Sequence, residues 1–236
     1  MILQISDLHS YYGESHILQS VDLTLDQGEL VCLLGRNGVG KSTTLKSIMG
    51  LVTPRKGSVR FMDHELAGLA PYEIARLGVG YVPEERRIFK GLTVVENLQI
   101  GIKQAKGRTQ REAWTVERVF DIFARLAERR DQKGGHLSGG EQQMLTVART
   151  LMGNPELILV DEPTEGLAPL VADNVLQMLG AISQAGESIL MVEQNYKAAL
   201  KLADKFYIMS KGRMVFQGSG DELVAAEDVR KKYLEV

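Results

Sequence analysis

The stretch Gly35-Arg36-Asn37-Gly38-Val39-Gly40-Lys41-Ser42 decides how this chain reads, because of what stands on either side of it. Before it comes the apolar run Leu30-Val31-Cys32-Leu33-Leu34, and after it a segment in which Leu45, Ile48 and Met49 recur at helical spacing. A short bounded apolar run reads as a buried strand, so the glycine-rich segment joins a strand to the start of a helix. In that context the complete pattern G-x-x-x-x-G-K-[ST] predicts a P-loop. Its glycines let backbone N–H groups close around phosphates, and the helix N-terminus adds positive potential. Lys41 would reach the β and γ phosphates of a nucleotide and the Ser42 hydroxyl a Mg²⁺ ion. The candidate nucleotide-binding set is therefore Gly35, Arg36, Asn37, Gly38, Val39, Gly40, Lys41, Ser42 and Thr43.

Upstream, apolar runs separated by Tyr12-Gly13 and Gln27-Gly28 predict successive strands. Downstream, residues 57–66 read as a strand pair, 71–77 as a short helix ended by Gly78, and 79–82 as a strand running into Pro83. Between Thr93 and Asp131, Val94, Leu98, Val119, Phe120, Phe123 and Leu126 stand at helical spacing among charged residues. Residues 93–135 are thus expected to form a helical subdomain inserted in one domain spanning 1–236, with Gly134-Gly135 ending it. Ser138 and Glu141 then form an S-x-x-E capping box ahead of a helix that Gly153-Asn154-Pro155 stops. Residues 157–160 and 188–192 read as buried strands with a helix at 170–184 between them, followed by a hairpin about Lys211-Gly212 and a polar helical end from Asp221. Strands alternating with helices give an α/β class with a mainly parallel sheet.

The strand 157–160 leads into Asp161-Glu162, delivering two carboxylates to the same sheet edge as the P-loop. Asp161 would hold Mg²⁺, and Glu162 would polarise an attacking water as general base. Ser138 with the N–H groups of Gly139 and Gly140 exposes a helix N-terminus, a further anion site. The remaining composition excludes other classes. A formal net charge of −2 argues against a generic polyanion binder, which needs clustered Lys and Arg. The single cysteine, Cys32, excludes an intrachain disulfide and reads as a core residue. No stretch approaches the ~18 apolar residues of a membrane-spanning helix, so membrane association would run through a partner. The opening MILQISDLHS does not look like a secretory or transit peptide, and the mature chain is expected to start there. His9, His16, His64 and His136 lack metal-ligand spacing, the basic run 128–133 reads as a solvated helix end, and Trp114 as a packing anchor.

The segment Leu137-Ser138-Gly139-Gly140-Glu141-Gln142-Gln143 resembles the signature motif of ABC ATPases, and the resemblance extends over essentially the whole chain. It implies a P-loop core with an N-terminal antiparallel β region and a helical insertion, the ABC ATPase fold. It also implies two ATP molecules sandwiched in a head-to-tail dimer, with Ser138, Gly139 and Gly140 closing over the γ phosphate held by the opposing subunit. Tyr12 matches the aromatic residue that stacks on adenine, and residues 81–97 match the loop that contacts a transmembrane partner.

Three positions depart from that family's pattern. Glu84 stands where a glutamine is usual, keeping an oxygen for Mg²⁺ while adding negative charge that Arg86 or Arg87 is expected to offset. Gln194 stands at the switch position in place of histidine, giving an amide that can donate to a γ phosphate oxygen but cannot become cationic. The usual aspartate after Glu162-Pro163-Thr164 is absent, since Gly166-Leu167-Ala168-Pro169 follows. Taken together, VPEERRIF, EGLAP and VEQN resemble the LivF-type ATPase of bacterial importers for branched-chain amino acids. That resemblance implies a peripheral protein on the cytoplasmic face of the inner membrane. Its partners would be transmembrane permeases, a second ABC ATPase subunit, different or identical, and indirectly a periplasmic substrate-binding protein, with no nucleic acid. YYGESHIL and LLGRNGVGK are also similar to the motor of urea and short-amide importers. A soluble ABC ATPase acting on ribosomes or DNA is a third reading, against which 236 residues leave no room for a second cassette or a long coiled coil.

Overall fold

The computed structural model describes residues 1–103 and 112–235. The elements run β1 (Leu3–Tyr12), β2 (Ser15–Leu25), β3 (Leu30–Leu34), α1 (Lys41–Ile48), β4 (Lys56–Phe61), β5 (His64–Glu65), α2 (Pro71–Leu77) and β6 (Val79–Val82). There follow α3 (Val94–Gly101), α4 (Val116–Ile122), α5 (Ala124–Glu128), α6 (Gly139–Leu151), β7 (Leu157–Asp161), α7 (Pro169–Gln184) and β8 (Ser188–Glu193). The chain closes with α8 (Tyr196–Ala199), β9 (Lys205–Ser210), β10 (Arg213–Gly218), α9 (Gly220–Ala225) and α10 (Glu227–Tyr233).

Two sheets organise these elements. One has four strands in the order β2-β1-β4-β5, antiparallel throughout; the other has six in the order β10-β9-β3-β8-β7-β6, parallel except for β10. Strands covered on both faces should be apolar at every position rather than at alternate ones, and β3, β7 and β8 are buried along their whole length. Successive side chains still point to opposite faces. Cys32, Ile158, Val160, Ile189 and Met191 belong to a core under α6 and α7, while Val31, Leu33, Leu159, Leu190 and Val192 belong to a second core shared with the antiparallel sheet. Burial raises the Cys32 thiol pKa well above its ordinary value, which leaves it an inert core residue.

Local chemistry sets the ends of the helices. Ser138 caps α6 by accepting from Glu141 N–H at 3.3 Å while Glu141 accepts from Ser138 N–H at 2.8 Å; α7 begins with Pro169, whose missing N–H is no loss in a first turn. The β9–β10 turn sits on Lys211 and Gly212, at φ 47° and 75°, as left-handed hairpin turns require. Between α3 and α6 the described residues are helical in short pieces, and the part of the expected 93–135 subdomain at 104–111 lies outside the described residues. Trp114 is buried, donating through its indole N–H to Glu187 at 2.9 Å. The basic run 128–133 is not simply a solvated helix end: Arg129 Nε lies 2.6 Å from the Glu141 carboxylate, so Arg129 holds the start of α6. His9 and His16 occupy neighbouring strands, with ring nitrogens 3.0 Å apart, and no metal-binding group was found among the described residues.

The two sheets are joined by Tyr207, buried in β9, whose hydroxyl accepts from Thr24 N–H at 3.0 Å. Phenylalanine at this position would leave that β2 donor without its acceptor, an expected loss of about 1–2 kcal/mol. Urea unfolding of Tyr207→Phe should show a lowered midpoint at unchanged slope. An unchanged midpoint would mean that the hydroxyl does not hold the sheets together.

Candidate functional site

Parallel strands that end at one sheet edge bring their following loops together, which is where α/β proteins bind ligands. Here the loops after β3, β7 and β8 meet. The backbone turns out of β3 at Gly35, where φ is 156° and a Cβ atom would stand 2.6 Å from the Met209 carbonyl oxygen. A side chain is excluded by that neighbour, which fixes glycine as the first residue of the loop. The loop then wraps the Lys41 ammonium, which donates to the carbonyls of Gly35 at 2.9 Å and Arg36 at 3.1 Å.

The third partner of Lys41 is Glu162. Nζ lies 2.9 Å from Oε1, with the two side chains only 3% and 7% exposed. The other carboxylate oxygen of Glu162 accepts from the Gln194 amide at 2.7 Å. Glu162 itself sits at φ 41°, a left-handed conformation that is unusual for a residue with a Cβ. Burial pushes its carboxyl pKa up, but hydrogen bonds with Glu165, Gln194 and Lys41 and the Lys41 charge outweigh that and hold it below its ordinary value. The hydrogen bond to Glu162 has the opposite effect on Glu165, whose pKa rises to about 7.

One residue earlier, Asp161 accepts from the Ser42 hydroxyl at 2.7 Å and from the Tyr81 hydroxyl at 2.9 Å. Burial, followed by the charge of Asp161, raises the Tyr81 pKa, so it stays a neutral donor. Ser42 and Asp161 together offer the hard oxygen donors that suit Mg²⁺. Glu84 lines a cavity of about 110 Å³ with Tyr81 and Asp161, which places a further carboxylate on the same space. Among the described residues, the expected offset of Glu84 by its arginine neighbours is not found as an ion pair. Arg87 pairs with Glu85 at 2.9 Å while lining the same cavity as Glu84, and Arg86 donates to the Glu165 carbonyl at 3.4 Å.

Tyr12, 48% exposed, lines a cavity of about 190 Å³ with Gly38, Gly40, Lys41, Ser42, Thr43 and Glu162. Arg36, Asn37 and Val39 line a different cavity. Ser138, Gly139 and Gly140 line neither of these cavities; a Cβ at Gly139 would meet the Arg86 guanidinium at 2.5 Å.

The sequence reading missed two participants. Tyr81 anchors Asp161, and its signal was a hydroxyl-bearing residue in the strand beside the aspartate strand. Glu193 is buried and accepts from Thr164 Oγ1 at 2.6 Å and from Gln194 N–H at 3.0 Å, tying the loop after Glu162 to the loop that carries Gln194. Burial raises its pKa. An acid directly after the apolar run 188–192 was its only trace in the sequence.

The chain as a whole is similar to known proteins. The family model described as ABC transporter matches residues 18–165. A curated relative from Pseudomonas aeruginosa, the high-affinity branched-chain amino acid transport ATP-binding protein BraG, is 40% identical over 99% of each chain. Another, from Archaeoglobus fulgidus, the probable branched-chain amino acid transport ATP-binding protein LivF, is 35% identical over 98% of this chain and 97% of its own. A crystal structure of the ADP conformation of an ATP-binding cassette of an ABC transporter superposes with a TM-score of 0.83 at 28% identity, covering 98% of this chain and 97% of the other. The chain belongs to the ABC transporter family of ATP-binding proteins.

Proposed function

We propose that this chain is the ATP-hydrolysing motor of an importer for branched-chain amino acids, acting at the cytoplasmic face of a bacterial inner membrane. The observation that carries the chemistry is the contact of Lys41, Glu162 and Gln194, one residue from the Ser42–Asp161 pair, at a single sheet edge. The similarity to BraG and LivF along nearly the whole chain carries the substrate class. In this reading the chain works in a head-to-tail dimer with a second ABC ATPase, beneath permeases fed by a periplasmic binding protein. The helices of 93–135 and the loop around residues 84–97 pass movement to a permease.

The residues divide the work as follows. Tyr12 stacks on adenine, and the P-loop N–H groups hold the phosphates. Lys41 exchanges Glu162 and the two loop carbonyls for β and γ phosphate oxygens. Glu162, released from Lys41, orients the attacking water and accepts its proton. Gln194, at present donating to Glu162, turns its amide to a γ phosphate oxygen. Ser42 and Asp161, with Glu84, provide the oxygen set for Mg²⁺, which when bound neutralises charge developing on the phosphates. Ser138, Gly139 and Gly140 close over the nucleotide of the opposing subunit.

The transport reading is tested by isolating the membrane complex through this subunit and measuring leucine and urea uptake. Permeases and a second ATPase should co-purify, and leucine uptake should depend on Glu162; recovery of ribosomal or DNA-bound partners without a permease would overturn it. For the chemistry, Glu162→Gln should lower kcat by about 10²-fold or more, the usual contribution of a general base, while nucleotide still binds. Tyr81→Phe should weaken the Mg²⁺ dependence of ATPase activity, raising the half-saturating Mg²⁺ concentration with the fold intact by circular dichroism; an unchanged Mg²⁺ titration would remove Tyr81 from the site.

Glu165 gives a pH signature. Its folded pKa of about 7 lies above the ordinary 4.5, so its stabilising contribution is complete below pH 4.5 and is lost as pH rises toward 7. Urea midpoints measured from pH 4.5 to 8 should therefore decline less steeply for Glu165→Gln than for the wild type across that window. Parallel curves would show that Glu165 shares no proton with Glu162.

A further inference from the structure

Arg36, Asn37 and Val39 of the P-loop line a larger cavity that Lys41 does not, of about 800 Å³ against about 190 Å³ beside Lys41 and Glu162. We propose that this cleft, between the P-loop, the β9–β10 hairpin and α10, is a second anion site that binds a phosphate-bearing small molecule of nucleotide size. Its volume falls in the usual range for small-molecule sites, about 300–1,000 Å³.

Arg36, Lys211, Arg213 and Lys232 line the cleft, and among the described residues no Asp or Glu does, although the chain as a whole carries a net charge of −2. Several surface cations elsewhere are paired with carboxylates: Lys56 with Asp7, Arg125 with Glu128, and Lys231, the neighbour of Lys232, with Glu227 at 2.6 Å. The four cleft cations have no such carboxylate among the described residues. Arg36 donates to the Glu235 carbonyl at 2.6 Å, Arg213 to the Gln19 amide oxygen at 3.1 Å, and Lys232 stands 5.0 Å over the Tyr233 ring. A cleft lined by one sign of charge focuses its field and concentrates the opposite ion.

The hairpin is pinned to the P-loop by Gly212 N–H donating to the Val39 carbonyl at 2.9 Å, and to β2 by Gln19 N–H donating to the Gly212 carbonyl at 2.8 Å. Just past α10, whose Lys232 and Tyr233 line the cleft, the chain is held by Tyr196, which donates to the Glu235 carboxylate at 2.7 Å. Buried Met209 and the half-buried Val39 and Tyr233 supply apolar and aromatic surface for the part of the ligand that is not phosphate. Two guanidinium forks suit phosphate oxygens in pairs, and two ammonium groups add point charge. The concave form suits a small molecule rather than a nucleic acid, which would call for an extended basic stripe. Since Arg36 and Asn37 belong to the P-loop, occupancy here would be coupled reciprocally to nucleotide affinity.

The test reads binding and does not depend on the transport reading. The full chain is first saturated with ADP so that the Lys41 cleft is filled, then titrated calorimetrically with pyrophosphate and separately with cyclic di-AMP, whose phosphodiesters offer no β or γ phosphate. At least one probe should bind. Arg213→Ala with Lys232→Ala should weaken it by about tenfold or more, the effect of losing a charge-assisted contact, with ADP affinity unchanged. Lys211→Asn, which suits the left-handed turn position, should weaken it in the same direction. Pyrophosphate binding alone assigns a simple phosphate ligand, and binding of the dinucleotide assigns a nucleotide. Failure of both probes to bind, binding only when ADP is left out, or binding by the double variant as tight as by the wild type would overturn the proposal.

Discussion

An ammonium group 3% exposed must find its counter-charge within the protein, and the contact between Lys41 and Glu162 is the constraint around which the rest of the site is arranged. Desolvation of both groups is offset only if every remaining donor and acceptor is satisfied. Two P-loop carbonyls and the Gln194 amide meet that need, which is why three loops from three strands have to arrive together. The strand order β3-β8-β7 makes this happen, because the strands bearing the P-loop and Glu162 flank the strand bearing Gln194. Nothing in this arrangement is permanent by necessity. Phosphate oxygens are better partners for Lys41 than neutral carbonyls, so the same contact that stabilises the site in this state is the one a nucleotide replaces.

The two faces of the parallel sheet keep those loops in register. Each strand sends alternate residues into separate cores, so a slip of one residue would exchange both sets and misplace Asp161 and Glu162 at once. Below the edge, Glu193 and Thr164 tie the loop after Glu162 to the loop of Gln194, while Tyr81 and Ser42 hold Asp161 from opposite sides. Gln194 gives this network a feature of its own. An amide donates to Glu162 without titrating, whereas an imidazole would gain and lose charge near neutral pH.

Local patterns made much of this legible in the sequence. The P-loop, the paired acids of 161–162 and the Ser138–Glu141 capping box are each contained in eight residues or fewer, so their geometry follows from short-range chemistry. Strands β3, β7 and β8 were legible because burial on both faces demands unbroken apolar runs. Tyr81 and Glu193 were not, since their meaning lies in partners 80 and 29 residues away along the chain. The same holds for Arg86, where sequence adjacency suggested a pairing with Glu84 and the fold instead supplied the Glu165 carbonyl. The four-cation cleft combines residues from the P-loop, one hairpin and the last helix, a coincidence that no linear pattern records.

Glu162 competes with nucleotide phosphate for Lys41, and this is measured most directly by the ATP dissociation constant of the wild type against Glu162→Gln, at matched salt and Mg²⁺. Removing the charge of the competitor should tighten ATP binding by about tenfold, the size of one charge-assisted contact. Equal or weaker binding by the variant would contradict the account, because it would mean that Lys41 gives up nothing when the nucleotide enters.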